Sequence, residues 1–433
     1  MSKRFLYMET YGCQMNEYDS DRIRNSIDFA ITHDPQEADV VIINSCAIRQ
    51  KADQKAFSSL GKFKHLKVKK PNQIVGIAGC VAQLYGDQLL NKMPHLDFVL
   101  GPRAIPRLPE LISRIEKEKQ RCVETSLDLE EIFEVEPYHE NGKVSAFVSV
   151  QQGCNKVCSY CIVPFVRGKE INRPLNDILN ETKNLVTKGV REITLIGQTV
   201  NSWKANGYKF GDLIKNVAEI EGLLRIRFTT SYPRDVTKKM IYAMAGAPKV
   251  CHHIHLPVQS GSNRILAMMK RTYTRESYLD IIKTLRESIP DIAITTDVIV
   301  GFPGESEKDF NDTLELVKEV EFDSSFSFKF SPRPGTPATK SNEPISEIIS
   351  NERLATLQQI QSEITIRRNH TKVGSVEEVL VEGESRNDPS WQSGRNSQNQ
   401  VVNFPGPLSL KGKMVSVRIS EGLRNSLRGV LLQ

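Results

Sequence analysis

No apolar run in this chain approaches the ~20 residues needed to cross a bilayer, although 39% of its 433 residues are hydrophobic. The opening MSKRFLYMETYGC has a basic head, but its apolar part is only FLYM. That is too short for the core of a signal peptide. The expectation is a cytoplasmic protein with no membrane segment. A large excess of charge is also missing. The net charge is +6, a weak hint of a polyanionic partner. Disulfides are disfavoured in a reducing cytosol, so the eight cysteines point to metal ligation or reactive thiols. A single core rarely grows to this length, and two or three domains are expected.

Charge is unevenly spread. Arg49 to Lys70 is strongly basic and Glu124 to Lys143 strongly acidic. The first reads as a basic face, the second as an acidic connection over residues 121–142 between domains at 1–120 and 143–370.

The first 120 residues repeat one pattern. FLYMETYGC, ADVVIINSC and QIVGIAGC read as strands, each followed by a helix-like segment. Such alternation implies an open parallel α/β sheet. Each strand ends at a cysteine: Cys13, Cys46 and Cys80. Ligands of open parallel sheets bind beyond the carboxyl ends of the strands, so these three can meet on one rim. The plainer reading is three buried thiols, each a small core hydrophobe.

A second alternation starts near Lys143. Strands are expected at Ala146–Val150, Glu192–Ile196, Arg225–Thr229, Ile254–Leu256, Ala293–Val300 and Phe326–Phe330. Helices are expected at Leu175–Lys188, Phe210–Ile220, Thr237–Ala245, Arg275–Ser288 and Glu307–Val320. Six such units suggest a partial (β/α)6 barrel whose active site lies at the strand C-terminal ends. Ser331–Pro344 is rich in turn residues and ends the barrel. A polar helix, Ile348–Asn369, follows. Residues 373–433 then show short β-like runs between Gly, Pro and Asn turns, which read as a small β-barrel.

After the first strand of the second alternation comes VQQGCNKVCSYCIVPF, which places Cys154, Cys158 and Cys161 in a C-x3-C-x2-C frame. No fourth ligand follows closely; the next cysteine is Cys251. Structural zinc sites and iron–sulfur clusters both favour four thiolates. Three thiolates on a four-iron cluster leave one iron open to an exchangeable ligand, such as the amino and carboxylate groups of S-adenosylmethionine. Electron transfer into the sulfonium then breaks a carbon–sulfur bond and yields a 5′-deoxyadenosyl radical, chemistry that belongs to the cofactor. CHHIH (Cys251–His255) is a poorer metal candidate, because strand alternation splits it between two faces. Cys122 has no partner pattern and reads as a structural thiol.

With these motifs the sequence resembles the radical-SAM superfamily, and along its whole length a methylthiotransferase with a C-terminal TRAM domain. ETYGCQMNEYDS, INSCAIR, GIAGCVAQ, GCNKVCSYCIVPFVRGKEINRP, LIGQTVNSW, HLPVQSGS and SPRPGTPA carry the resemblance. It implies an auxiliary four-iron cluster on Cys13, Cys46 and Cys80, and a radical-SAM cluster on Cys154, Cys158 and Cys161. It further implies two S-adenosylmethionine molecules per turnover, one giving the methyl group and one the radical. Tyr160 corresponds to an aromatic beside adenine. Gly301 and Gly304 fall in DVIVGFPGE, similar to a glycine motif that cradles adenine, although Asp297 stands where that motif starts with glycine. Ser231 and Gln259 end strands and are candidates for the ribose or methionine moiety. Arg271 and Arg275 are candidates for a carboxylate.

YGCQMNEYDS resembles the MiaB type within that family, which acts on isopentenyl-adenosine at position 37 of tRNA, beside the anticodon. The alternatives are threonylcarbamoyl-adenosine in tRNA, a ribosomal protein aspartate, or, from another class, a non-catalytic metal-containing RNA-binding protein. The first reading implies an apolar pocket for a prenyl group. The tail is expected to bind the anticodon stem-loop through Trp391, Arg395, Asn396, Asn399 and Lys411, since single-stranded loops are where RNA bases are read. The implied partners are tRNA, a reducing donor such as flavodoxin or ferredoxin, and a sulfur or cluster-repair donor. A monomer is expected.

Overall fold

A computed structural model describes residues 3–48, 50–128, 133–341, 343–386 and 388–432. It divides into two compact units. One comprises Met1–Glu140, Gln151–Lys156 and Cys161–Arg173; the other comprises Asn141–Val150, Val157–Tyr160 and Pro174–Gln433.

The first unit is built on a parallel sheet of β1 (Phe5–Tyr11), β2 (Ala30–Ile31), β3 (Val40–Ser45), β4 (Ile74–Gly79), β5 (Phe98–Leu100) and β6 (Cys122–Glu124). The strand order is β2-β1-β3-β4-β5-β6, with every pairing parallel. VVIINS can be apolar on both sides because helices cover both faces of such a sheet. Val40 and Ile42 join one core cluster, and Val41 and Ile43 the other. The sequence pattern marks β1, β3 and β4. It does not mark β2, β5 and β6, which are only two or three residues long. The helix expected after β4 is broken into Cys80–Tyr85 and Gln88–Lys92 at Gly86, where φ is 50°. Most of the basic stretch forms the helix Gln50–Lys69; Arg49 lies outside the described residues. So do residues 129–132 of the acidic stretch. Beyond them, the chain is pinned to the helix Gln14–Ser26. Arg22 Nε donates to the Val135 carbonyl at 3.1 Å, and the Tyr138 amide to the Asp21 carbonyl at 2.8 Å.

The second unit holds six parallel strands: β7 (Ser145–Ser149), β8 (Glu192–Ile196), β9 (Arg225–Phe228), β10 (His253–His255), β11 (Ala293–Val300) and β12 (Ser324–Lys329). They form two three-stranded sheets, joined by a parallel bridge from Ile226 to Val250. The expected partial barrel is therefore present, with each strand within two residues of its expected position. Alternation assigns the faces. Ile193, Leu195, Ile226, Phe228, Ile254, Leu256, Ile294 and Val298 belong to the core packed under the helices. Glu192, Thr194, Arg225, Arg227, His253, His255, Thr295 and Asp297 take the inner face. Helices Leu175–Thr187, Phe210–Ala218, Lys238–Gly246, Arg275–Ser288 and Glu307–Val320 lie at the expected places. Thr237, Thr274 and Ser306 cap three of them with side-chain oxygens, as short hydroxyl side chains do at exposed helix amides.

A long helix, Glu347–His370, leads to a closed five-stranded barrel. Its strands are β13 (Val376–Glu384), β14 (Trp391–Arg395), β15 (Val401–Pro405), β16 (Met414–Gly422) and β17 (Leu427–Leu431). The turn after β14 docks on the N-terminal mouth of the larger barrel. Arg225 donates to the carbonyls of Arg395 and Glu378, and Arg227 to those of Asn396 and Ser397. His252 N meets Ser397 Oγ at 2.8 Å, and Gln398 Nε2 meets Asp291 Oδ2 at 2.6 Å. Among the described residues, no helix is long and apolar enough to span a membrane.

Candidate active site

In the first unit, the ends of β1, β3 and β4 bring Cys13, Cys46 and Cys80 together. Cys46 is the neighbour shared by the other two. The loops can approach this closely because a glycine precedes two of the cysteines. A Cβ on Gly12 would lie 2.6 Å from the Cys46 Cβ, and one on Gly79 would lie 2.8 Å from the Ser45 carbonyl. Behind them sits a buried amide network. Asn16 Nδ2 donates to Asn44 Oδ1 at 3.1 Å, and Asn44 Nδ2 donates to the Asn16 carbonyl at 2.8 Å.

The charges favour thiolates. Cys13 is pulled down to about 6, first by its hydrogen bond with Cys46 and then by the Arg167 guanidinium. Cys80 is lowered for the same two reasons. Cys46 is raised, because its neighbours Cys13 and Cys80 hold its proton. Arg167 is fully buried at the end of the short helix Val163–Arg167. Its Nη2 lies 2.6 Å from Asp19 Oδ2, and its Nε lies 3.3 Å from Cys80 Sγ. Burial works against its charge, but Asp19 and the thiols of Cys80 and Cys13 outweigh that.

Among the described residues, no trio of His, Cys, Asp or Glu side chains converges as ligands of a single metal ion. An iron–sulfur cluster spaces its cysteine sulfurs more widely than a lone ion does. Two lowered thiols, a third beside them and a buried cation suit such a cluster. The sequence pattern alone does not reveal Arg167, Asp19, Asn16 or Asn44, because their motifs carry no spacing rule for a basic partner.

The second triplet lies on the loop after β7. Cys154 and Cys161 fall in the first unit, and Cys158 and Tyr160 in the second. The Cys154 amide donates to the Gly168 carbonyl at 3.1 Å. In the second unit Arg271 Nη1 lies 3.3 Å from Cys158 Sγ, and its Nη2 bonds the Pro257 carbonyl at 3.1 Å. The guanidinium is stacked 4.4 Å from the Tyr232 ring centroid and 5.0 Å from that of Tyr273. It is held well above its usual range: burial opposes the charge, while Tyr160, Tyr273 and Cys158 favour it. Tyr160 packs against Ile265, Met269 and Phe302.

The C-terminal ends of β8 to β10 carry the signs of a polar ligand site. Ser231 Oγ and Gln198 Oε1 are buried with no hydrogen-bond partner among the described residues. Thr230 and Gln259 hold φ of 66° and 73°, a region most side chains avoid and that clusters at functional sites. An orphaned hydroxyl and an orphaned amide oxygen beside strained backbone mark a place for a polar ligand.

Two of the expected residues, Arg275 and Asn396, spend their polar groups inside the protein. Arg275 does not reach this rim. Its guanidinium is 2.9 Å from Glu319 and 3.0 Å from the Asp312 carbonyl, so it ties two helices together. The Gly301 amide donates to Glu305 Oε2 at 2.7 Å, and Gly304 N donates to the Glu343 carbonyl at 2.8 Å. Glu305 is buried and raised by that burial, with Arg353 at 2.7 Å in opposition. The turn is thus braced from the long helix, and a Cβ on Gly301 would strike Ser350. In the small barrel, Asn396 is fully buried and spends its amide on Glu377 and Gln400. It shapes the docking turn and is not presented to RNA. Arg395 pairs with Glu382 at 3.3 Å and bonds the Asn399 carbonyl at 3.1 Å, and Asn399 supplies the turn's left-handed residue, φ 67°. Trp391 is half-buried with the Arg428 guanidinium 5.8 Å from its ring centroid, and Lys411 is exposed.

The remaining cysteines behave as structural thiols. Cys122 is buried and accepts from Arg114 Nη2 at 2.9 Å. Cys251 is pushed up to about 11 by burial, as expected of an inert buried thiol. As alternation requires, Ile254 enters the core while His253 and His255 face inward, both bonded to Thr295 Oγ1.

Comparison with known proteins accounts for each region. Residues 148–317 match the Radical SAM superfamily, 370–432 the TRAM domain, and 5–101 a group described as Uncharacterized protein family UPF0004. A curated protein of Syntrophus aciditrophicus (strain SB), tRNA-2-methylthio-N(6)-dimethylallyladenosine synthase, is 48% identical over 439 residues, covering 100% of this chain and 95% of that protein. Proteins of the same name from Burkholderia ambifaria and Vibrio cholerae are each 44% identical, with 100% of this chain and 98% and 93% of theirs covered. The solved radical S-adenosylmethionine methyltransferase TsrM from Kitasatospora setae superposes with a TM-score of 0.60 at 13% identity, covering 78% of this chain and 75% of that one; at that identity the likeness is one of fold. The chain belongs to the tRNA-2-methylthio-N(6)-dimethylallyladenosine synthase family, within the radical SAM methylthiotransferases.

Proposed function

We propose that this chain methylthiolates C2 of N6-isopentenyladenosine at adenosine-37 of tRNA, giving 2-methylthio-N6-isopentenyladenosine. The observation that carries the reading is the match over the whole chain to relatives of that name. On this reading Cys154, Cys158 and Cys161 hold one four-iron cluster, and Cys13, Cys46 and Cys80 a second. Residues 1–120 form the domain of the second cluster, 121–142 a connection, 143–370 the catalytic core and 373–433 the RNA-binding domain. When bound, the clusters and two S-adenosylmethionine molecules per turnover supply the radical, the methyl group and the sulfur transfer.

The protein's own residues orient and exclude. Arg271 sets its charge against Cys158 and, pinned by the Pro257 carbonyl and two rings, cannot swing away. Ser231, Gln198 and Gln259 offer polar atoms to the methionine and ribose groups, and Tyr160 an aromatic wall for adenine. On the inner face of the barrel one apolar group is available to a prenyl chain. Phe326 stands half-exposed there, edge-on to His255 with ring centroids 5.9 Å apart. His255 Nε2 in turn lies 3.4 Å from Asp297 Oδ2. A prenylated base needs apolar contact beside a few polar groups, and Phe326 with His255 and Asp297 supplies one such set. Trp391 and Lys411 remain the tail's candidates for RNA, together with the basic helix Gln50–Lys69. The reducing partner is a donor of the flavodoxin or ferredoxin class, with a separate sulfur or cluster-repair donor. The protein acts as a cytoplasmic monomer.

Nucleoside mass spectrometry of tRNA from cells lacking the protein tests the substrate. Methylthio-isopentenyl-adenosine should vanish and isopentenyl-adenosine accumulate; persistence of the product, with no second enzyme present, refutes it. Anaerobic reconstitution should give about eight irons per chain, four for each open cluster, and 5′-deoxyadenosine on reduction. Zinc alone would sink the enzyme reading.

A further inference from the structure

Arg167 lies six residues beyond Cys161, at the end of the short helix that closes the radical-SAM cysteine loop. Its side chain is directed to the other triplet. The helix is anchored by Ile162 and Val166, which share a core cluster with Cys80, Val41 and Ile43. The guanidinium is fully buried, bonds Cys80 Sγ at 3.3 Å through Nε and grips Asp19 at 2.6 Å through Nη2. A second buried arginine, Arg22, stands 3.8 Å from the other oxygen of Asp19. Arg167 is thus a buried cation in direct contact with one of the three sulfurs.

We propose that Arg167 is a positioning residue for the auxiliary cluster, setting its reduction potential by a hydrogen bond and a buried positive charge at Cys80. The proposal rests on the reading that Cys13, Cys46 and Cys80 hold a cluster. A cluster's potential follows its net charge and the hydrogen bonds to its sulfurs, and the partners behind first ligands tune what those ligands hold. A donor at a ligating sulfur stabilises the reduced, more negative state. Asp19 acts in the opposite sense, because its carboxylate opposes the Arg167 charge at Cys80. The arginine also has a second effect through the chain. Because it ends the helix that follows Cys161, it fixes the trailing end of one cysteine loop against the other triplet.

The test uses the full chain with Cys154, Cys158 and Cys161 changed to alanine, so that only the auxiliary site is left. That parent should carry about four irons, the complement of one such cluster; an iron-free parent would mean that no cluster forms there, and the underlying reading would fall. Arg167→Gln, Arg167→Lys and Asp19→Asn are then made in it, and midpoint potentials are read by redox titration followed by electron paramagnetic resonance. Arg167→Gln should make reduction harder by at least tenfold in the equilibrium constant, about 59 mV for one electron. Arg167→Lys should fall between it and the parent, since it keeps the charge and loses the planar fork. Asp19→Asn should shift the potential the other way. Opposite signs for the two sites support the proposal, because simple loosening of the site would move both alike. Equal potentials at full iron content, or shifts of one sign, overturn it. If Arg167→Gln binds no iron, the sign for Asp19→Asn decides.

Discussion

Gly153, which precedes the first cysteine of the C-x3-C-x2-C loop, should not tolerate even a methyl group. Its φ is +77°. A Cβ there would run into the Lys169 carbonyl and lie 2.6 Å from the Gly168 carbonyl. Both obstacles are backbone and cannot turn aside. Moreover, the Gly168 carbonyl accepts the Cys154 amide at 3.1 Å, so any accommodation displaces Cys154 itself. A left-handed backbone costs an alanine about 1–2 kcal/mol, and a forced overlap about 1–3 kcal/mol. The sum, about 2–5 kcal/mol, corresponds to a fall of roughly 4–20 °C in the melting of a unit of this size. Gly189 provides the control: its φ is +98°, yet nothing lies within 4 Å of its missing Cβ. Gly189→Ala should show only the backbone part. Thermal melting is to be followed in both variants, alongside iron content after anaerobic reconstitution. Gly153→Ala should lose the radical-SAM iron, about four per chain, while Gly189→Ala keeps it. If Gly153→Ala melts like Gly189→Ala and holds full iron, the argument from close approach is wrong.

Three further outcomes are expected. His253 is fully enclosed and pushed down to about 3, by burial first and then by Arg227 and its other cationic neighbours. It stays neutral when folded, whereas the unfolded chain takes up the proton below about 6.5. Stability should therefore fall as pH drops below 6.5, by about 2 kcal/mol at pH 5, and urea midpoints for His253→Gln should lose that slope; an unchanged slope counts against the assignment. Arg227→Met removes the two Arg227 bonds to the docking turn and leaves Glu192, 2.9 Å from Arg227 Nε, buried and unpaired. A loss of about 3–5 kcal/mol follows, visible as faster limited proteolysis between the long helix and the small barrel, and Glu192→Leu in the same chain should restore resistance. Lys411→Ala should weaken tRNA binding and lower the slope of log affinity against log salt by about one, and Trp391→Ala should weaken binding with the slope unchanged; equal slopes in both would remove Lys411 from the phosphate contacts.

Long, periodic elements were readable directly. Arg275–Ser288 and Glu307–Val320 form the helices that their apolar spacing dictates, and ADVVIINSC forms a strand because only a doubly covered sheet accepts such a run. The meeting of Cys13, Cys46 and Cys80 was legible for a topological reason: parallel strands expose their carboxyl ends on one side. What escaped the sequence depends on contacts between distant segments. Asn396 looks like a surface amide until the turn that holds it is seen buried against Arg227. Arg275 looks available for a carboxylate until Glu319 is found opposite it. Arg167 follows three cysteines so closely that its target, 87 residues upstream at Cys80, is invisible without the fold.

The docking of the small barrel has a consequence for how the chain tolerates change. Arg225 and Arg227 grip the carbonyls of Glu378, Arg395, Asn396 and Ser397, which every amino acid carries. Most of the grip is therefore on the path of the tail, with the side chains of Ser397 and Gln398 adding to it. Substitutions in the tail that keep the turn's shape leave those four acceptors in place, whereas neither arginine has a replacement with the same fork. Divergence should run unequally across this joint, freely on the tail and hardly at all on the barrel. A foreign tail barrel with the same turn should then graft onto this larger barrel and dock through the same four carbonyls.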